Sequence, residues 1–320
     1  MPISGTQAAR RSTPEIMMSD TLLVTGASGQ LGRRVLAHLL ETLSISPARL
    51  VAVTRSPAKL ADVAARGVAV RHGDFDDPAS LGPAFAGADR LLLISTDAFD
   101  RPGVRIAQHR AAVAAAKEAG VKHVIYTSMP GPEDSPIHFA PDHLGTEQAL
   151  AASGLGWTVL RNAWYFENLA FSLPRVLETG KWYTSAGDGR TAFLARDDCA
   201  RVAAHVLAGA GAVSTTYDIT GSVALTNAEI AATVSEVLAR PVEIVPVSDA
   251  ELVAGMIAAG VPEPVARIWA SFDTATRLGK FAKVTDAVEK LTGKPPETFR
   301  AFLAANKALF LPAPAAGEQA

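Results

Sequence analysis

A chain of 320 residues, 48% hydrophobic and 19% charged with a formal net charge of −2, is long enough for one large or two modest domains and can bury a sizeable core. That near-neutral balance carries no electrostatic footprint for nucleic acid or an anionic membrane as partner. The lone cysteine, Cys199, excludes an internal disulfide and a multi-cysteine zinc site, and no apolar run reaches the roughly eighteen residues of a membrane helix.

The chain opens on "MPISGTQAARRSTPEIMMS", which has neither a hydrophobic signal core nor a periodicity. Residues 1–19 are expected to be a disordered leader, with Met17 or Met18 as the start and the cytoplasm as the location. From Thr21 onward short apolar runs alternate with helical patterns: "TLLVTG", "LVAVTR", "VAVRHGD", "RLLLIST", "HVIYTS" and "WTVLRN", separated by segments such as "QLGRRVLAHLLETL" and "QHRAAVAAAKEAG". Continuous Val/Ile/Leu runs are strands buried on both faces. Their regular alternation with helices predicts an α/β fold, a Rossmann-like doubly wound parallel sheet.

Between the first run and the first helix, "TLLVTGASGQLGRRVL" places Gly26, Gly29 and Gly32. Gly26 lets the strand turn sharply, Gly29 lets backbone approach a pyrophosphate and Gly32 lets the helix pack on the sheet. The loop Gly26, Ala27, Ser28, Gly29, Gln30, Leu31, Gly32 is thus the candidate phosphate cradle, with the amides of Ser28 to Leu31 facing the anion at a helix N-terminus. A plain glycine-rich turn is the bland alternative.

The second run ends with Arg55 where NAD binders often carry an acid, and Lys59 follows one turn into the next helix. A cation there suits the extra phosphate of NADPH, so NADPH is expected over NADH; a solvated arginine is the alternative. After the third run, Asp74 and Phe75 are placed to flank an adenine, although Asp74 could instead cap the helix near Pro78. Ser95 and Thr96 close the fourth run at its C-terminal end, where such sheets bind ligand; loop hydrogen bonding is the rival use of their hydroxyls.

Past "HVIYTS", many reductases of this kind carry Tyr-x-x-x-Lys, the tyrosine donating a proton to the reduced substrate. Here that spacing holds Phe139 and His143. Phe139 cannot donate. His143 can, and Glu147 lies one helical turn on, where a carboxylate could hold its tautomer or raise its pKa. An ordinary exposed helix pair is the alternative. His138 and His143 lack companions at metal spacing, so no metal is expected. After the sixth run, "LRNAWYFENL" brings Asn162 off a strand end toward a nicotinamide, with Trp164, Tyr165 and Phe166 either walling a flat acceptor or cementing two parts of the chain.

The rhythm then changes. "YDIT" and "VEIVPV" read as strands, "TNAEIAATVSEVLAR", "SDAELVAGMIAAG" and "PEPVARIWASFDTATRLG" as helices, and "PPETFRAFLAANKALF" as a last helix packing by Phe299, Phe302, Leu303 and Phe310. Thr226 and Glu229 have capping-box spacing, Pro262 and Pro264 start a helix, and Cys199 falls on a buried helix side. The expected division is residues 20–161 as the dinucleotide-binding part and 162–310 as a smaller mixed α/β substrate-binding part that may return to the sheet, with a fraying tail at 311–320.

In order, "TGASGQLG", "LLLIST", "QHRAAV", "YTS", "DHLGTEQAL", "LRNAWYFEN", "AGDGR" and "GVPEP" resemble the NmrA-like group of atypical short-chain dehydrogenase/reductases, and within it the quinone- and triphenylmethane-reducing members. The resemblance spans about Thr21 to Leu309. It implies a Rossmann fold with a small C-terminal domain, NADPH as cofactor and an aromatic acceptor such as a quinone. Its cofactor loop falls on Gly26 to Leu31, its phosphate-reading arginine on Arg55, its fourth-strand contacts on Ser95 and Thr96 and its active-site asparagine on Asn162. His143 matches a histidine found in these relatives where others have lysine. The loop "TSMPGPEDSPIHFAP" and the N-terminal extension depart from the pattern.

The missing tyrosine bears on the acceptor. A reduced ketone is a basic alkoxide, for which a positioned acid is worth about 10²–10⁴ in rate. A reduced quinone is a far weaker base, and a cationic triarylmethane dye becomes neutral on taking hydride. Direct hydride transfer to a quinone stacked near Asn162 and Tyr165 is therefore expected, with His143 orienting ligand or relaying a proton. Dye or azo-dye reduction, or dinucleotide sensing without turnover, are the alternatives. Oligomeric state is not legible.

Overall fold

The computed structural model describes residues 19–99, 101–209 and 213–311; the expected leader, apart from Ser19, and the tail beyond Leu311 lie outside the described residues. Its strands are β1 (Leu22–Val24), β2 (Leu50–Thr54), β3 (Ala69–His72), β4 (Arg90–Leu93), β5 (His123–Ser128), β6 (Gly156–Asn162), β7 (Lys181–Thr184), β8 (Arg190–Thr191), β9 (Thr215–Ile219), β10 (Leu225–Thr226) and β11 (Glu243–Pro246). Seven of them form one sheet in the order β3-β2-β1-β4-β5-β6-β9, every pair parallel. This is the doubly wound α/β arrangement, with the order reversing between β1 and β4.

Alternate side chains of each apolar run enter opposite cores. Leu22, Val24, Leu50, Ala52 and Leu92 join one core with Val35 and Leu36 of the first helix. Leu23, Val51, Val53, Leu91 and Leu93 join the other with Phe85, Ala112 and Val113. The two edge strands, β3 and β9, are half-exposed. Such runs lack polar alternation because neither face meets water.

The strand in "YDIT" returns to the main sheet, Asn162 of β6 pairing with Ile219 of β9. The helix Arg196–Ala208 leads into it, its Cys199, Ala200 and Ala203 sharing a core with Val35 and Leu39. Small alanines at that crossing let two helices lie close under the sheet. The segment "VEIVPV" gives β11, which pairs with β7 away from the main sheet.

A third core holds Phe166, Trp182, Phe193, Phe299, Phe302, Leu303 and Phe310, joining the last helices to the segment after β6. The Thr226–Glu229 capping box is formed. A second, at Ser248 and Glu251, starts the helix Asp249–Ala258. The helix Glu263–Arg277 starts directly after Pro262, with Pro264 in its first turn. Among the described residues no helix is long and apolar enough to cross a membrane.

Candidate active site

The sheet's C-terminal edge gathers the candidate residues. Gly26 follows β1 with φ +59°, a conformation that favours glycine. Gly29 N–H is bonded to Gly26 O at 2.9 Å, so one of the four amides expected to face an anion closes the loop instead. The helix Gln30–Ala37 then begins at Gly29 with no side-chain cap and no acid in its first turn. Its first-turn N–H groups are left for an external anion. At Gly32 a Cβ would lie 2.4 Å from Gly26 O and 2.7 Å from Ala27 Cα, so helix and loop touch backbone to backbone. Ser28 Oγ lies 2.7 Å from Thr54 Oγ1, tying the loop to the end of β2.

There Arg55 is exposed, close enough to help hold the Asp76 carboxyl below its usual range, after Arg101 and Gln108. Lys59 is also exposed, and its carbonyl accepts from Arg33. Arg33, which the glycine motif alone did not flag, also donates to Asp62 at 3.0 Å. Three cations thus surround the β2 exit. Asp74 does not cap the Pro78 turn. Its Oδ1 accepts from Asp76 N at 3.0 Å, bending its own loop, while Phe75 packs half-buried on the α/β core.

Ser95 N donates to Thr127 Oγ1 at 2.9 Å. Thr96 is bound within the fold: its N–H donates to His109 Nε2 at 3.0 Å, its hydroxyl to Gln108 Oε1 at 2.7 Å, and its carbonyl accepts from Arg105 Nε at 2.7 Å. Internal bonding, rather than a free hydroxyl, is its state here.

The helix Ala140–Ser153 carries His143 inward, 4% exposed. Arg105 Nη2 lies 3.0 Å from His143 Nε2. A guanidinium only donates, so Nε2 accepts and Nδ1 carries the hydrogen, donating to Tyr126 Oη at 2.8 Å. Burial, then the charge of Arg105, holds the imidazole well below its ordinary pKa, hence neutral. The expected partnership with Glu147 is not formed. Glu147 accepts from Ser128 Oγ at 2.6 Å and from Arg161 at 3.1 and 2.6 Å, because β5 and β6 present those donors on its side of the helix. His109 repeats the pattern: Nε2 accepts from Thr96, Nδ1 meets Thr146 Oγ1 at 2.9 Å, and burial followed by Arg105 pushes it down to about 3.

Phe139 is half-buried and lines a cavity of about 510 Å³ with Phe99, Pro102, Asp142, Glu263 and Ile268 among its walls. From there rings run inward: Phe139 to Phe272 at 5.9 Å, Phe272 to Trp164 at 4.0 Å. Neither Asn162 nor Tyr165, beside which the acceptor is expected, lines that cavity. Asn162 is 8% exposed, donates from Nδ2 to Tyr165 Oη at 3.3 Å, and has a buried Oδ1 with no hydrogen-bond partner among the described residues. The Arg196 guanidinium lies 5.1 Å over the Tyr165 ring and also donates to Gln30 of the glycine loop. Phe166, by contrast, is 3% exposed among Phe193, Phe299 and Phe302 and cements the parts of the chain.

These features fit a dinucleotide. The Gly32 cradle excludes a Cβ, a helix start lacks a cap, cations ring the β2 exit, and Asn162 Oδ1 is an unused acceptor where the sheet's end would meet a carboxamide.

The profile of the NmrA-like family matches residues 18–303. The chain is 38% identical over 277 residues to quinone oxidoreductase 2 of Escherichia coli, covering 87% of this chain and 95% of that protein. The crystal structure of the NADPH-dependent quinone oxidoreductase from Escherichia coli complexed with NADPH superposes with a TM-score of 0.84 at 37% identity, covering 88% of this chain and 98% of that one. The Citrobacter sp. triphenylmethane reductase complexed with NADP(H) gives 0.80 at 38% identity, over 88% and 99%.

Proposed function

Since the chain belongs to the NmrA-like family, we propose that it is an NADPH-dependent oxidoreductase that passes hydride to a quinone-like aromatic acceptor. Bound NADPH supplies the two-electron hydride. The chain supplies placement: the amides that start the helix Gln30–Ala37 hold the pyrophosphate, Arg55 with Lys59 reads the adenosine phosphate, and Asn162 takes the carboxamide. Ser95 and Asp74 with Phe75 are assigned to the cofactor's flanks, and Thr96 to shaping its loop. Tyr165 keeps Asn162 in place, and the rings of Trp164, Phe272 and Phe139 wall the space in which the acceptor meets the cofactor. His143 is a positioning residue, holding Arg105 and Tyr126.

One observation carries the acceptor class. Phe139, with no proton to give, lines the cavity, and behind it both nitrogens of His143 are engaged. Neither Phe139 nor His143 thus offers a free proton to an alkoxide, while a hydroquinone anion is protonated by water without help. A second reading, reduction of a cationic triarylmethane dye, is favoured by the likeness to the Citrobacter enzyme and asks equally little of an acid.

The test is to mix purified protein, NADPH and a simple quinone and follow the reduced-nicotinamide absorbance. Steady consumption, faster than with NADH, is expected. Tight binding without consumption of quinones, triarylmethane dyes or azo compounds would overturn the reading in favour of a dinucleotide sensor.

A further inference from the structure

Arg105 lies on the inner side of the helix Val104–Glu118, 2% exposed. A buried guanidinium normally finds a close carboxylate. Here Nε goes to Thr96 O and Nη2 to His143 Nε2, while Nη1 is buried with no hydrogen-bond partner among the described residues and stands 3.9 Å from Asp142 Oδ2. Asp142 is itself pushed up by burial, against the pull of Arg105. The other acid acting on the guanidinium, Asp97, is exposed to solvent. Arginine stays protonated in proteins even when buried, so among the described residues the positive charge is only loosely compensated. What covers it are two rings, Phe99 at 5.0 Å and Phe139 at 5.3 Å. Both rings, and Asp142, line the 510 Å³ cavity, whose other charged walls are paired, Arg267 with Glu263 and Arg101 with Asp76.

We propose that Arg105 sets the charge preference of the acceptor cavity, its guanidinium acting through the Phe139 and Phe99 rings to stabilise negative charge arising on a neutral acceptor as it is reduced. The proposal rests on the reading that the acceptor takes hydride in this cavity. A ring with a cation on one face has its electron-rich quadrupole engaged, and its far side better tolerates an electron-rich partner. The low-dielectric wall lets the charge be felt across it. A neutral quinone gains one hydrogen and two electrons from the dihydronicotinamide C–H bond, leaving oxidised cofactor and a hydroquinone monoanion that water then protonates. A triarylmethane cation gains the same and becomes neutral. The charge therefore aids the first reaction and opposes the second. Arg105 is a positioning residue: it fixes a charge one layer behind the wall and does not touch the acceptor.

The test compares Arg105→Gln and Arg105→Lys with the wild-type chain, loaded with NADPH, on benzoquinone and on crystal violet, a cationic triarylmethane. Arg105→Gln is expected to slow quinone turnover about tenfold, as for loss of one preorganised charge, and to leave or raise dye turnover; Arg105→Lys should retain most of the quinone rate. Turnover-independent confirmation comes from 4-nitrophenol, whose colour reports its ionisation. In the presence of protein and NADP⁺ the wild-type chain should hold it as phenolate at a lower pH than Arg105→Gln does. Equal slowing with both acceptors, no change with either, or an identical phenol titration would overturn the proposal; should the phenol not bind, the quinone-to-dye ratio decides. A wild-type chain that reduces neither acceptor yet shifts the phenol would sink the proposed reaction and leave the charge preference standing.

Discussion

Arg105 Nη2 lies 3.0 Å from His143 Nε2, and since only the guanidinium can donate, that contact fixes the imidazole as an acceptor on one side and a donor to Tyr126 on the other. His143→Gln should therefore cost about 1–3 kcal/mol of stability from unsatisfied buried partners. Turnover should keep its pH profile between about pH 6 and 8, because a neutral buried imidazole does not titrate there. Loss of a limb of that profile in the variant would instead assign His143 to proton transfer.

Arg55 projects into solvent at the β2 exit. Arg55→Ala should raise KM for NADPH about 10–100-fold, the scale of one or two charge-assisted hydrogen bonds, with KM for NADH nearly unchanged. Initial rates with both cofactors measure this, and a parallel rise in the two constants would dismiss Arg55 as the phosphate reader.

Gly32→Ala would drive a Cβ to 2.4 Å from Gly26 O and 2.7 Å from Ala27 Cα. Neither neighbour is a flexible side chain, so helix and loop must part. We expect about 1–3 kcal/mol of destabilisation and at least about a tenfold loss of NADPH affinity by fluorescence titration, because the amides leave register with the pyrophosphate.

Asn162→Ala removes the unpartnered Oδ1 and the bond to Tyr165. A misplaced nicotinamide costs rate more than binding, so kcat should fall at least about tenfold while the dissociation constant for NADPH moves little. Unaltered kcat with quinone would remove Asn162 from the site.

Acid should destabilise the chain before its carboxylates titrate. His109 is pushed down to about 3 by burial and Arg105, and His123 to about 4 by burial and Arg90, from an ordinary 6.5. Below about pH 6.5 the unfolded chain binds protons that the folded chain refuses. Stability is therefore lost as pH falls from there toward about 4 and 3, by up to about 1.4 kcal/mol per pH unit for each histidine. Urea unfolding between about pH 7 and pH 5 reads the slope, and His109→Gln should flatten it by one group's share. A slope of zero would mean these imidazoles are not buried neutral.

Sequence reading reached the sheet because its strands are apolar on both faces, and it reached the glycine loop because close backbone approach leaves a residue-type signature at Gly26 and Gly32. It fell short where identity depends on distant partners. His143 and Glu147 share the spacing of one helical turn, but Arg161 and Ser128, from two different strands, draw the carboxylate one way while Tyr126 draws the imidazole another. Arg105 belongs to the same buried helix side as His109 and Ala112, a four- and three-residue spacing that sequence does show. A charged residue is ordinarily read as facing water, and its shelter comes from Phe99, Phe139 and His143 on other elements. "YDIT" was legible as a strand, but nothing within it names β6 as its neighbour.

That last pairing has a consequence for dissection of the molecule. The chain leaves the sheet at Asn162 and comes back as the very next strand, so β9 is what shields the open ladder of β6. A fragment cut after residue 161 would keep the glycine loop yet expose a bare, apolar strand rim, which invites self-association. A soluble cofactor-binding half would have to retain residues through Ile219.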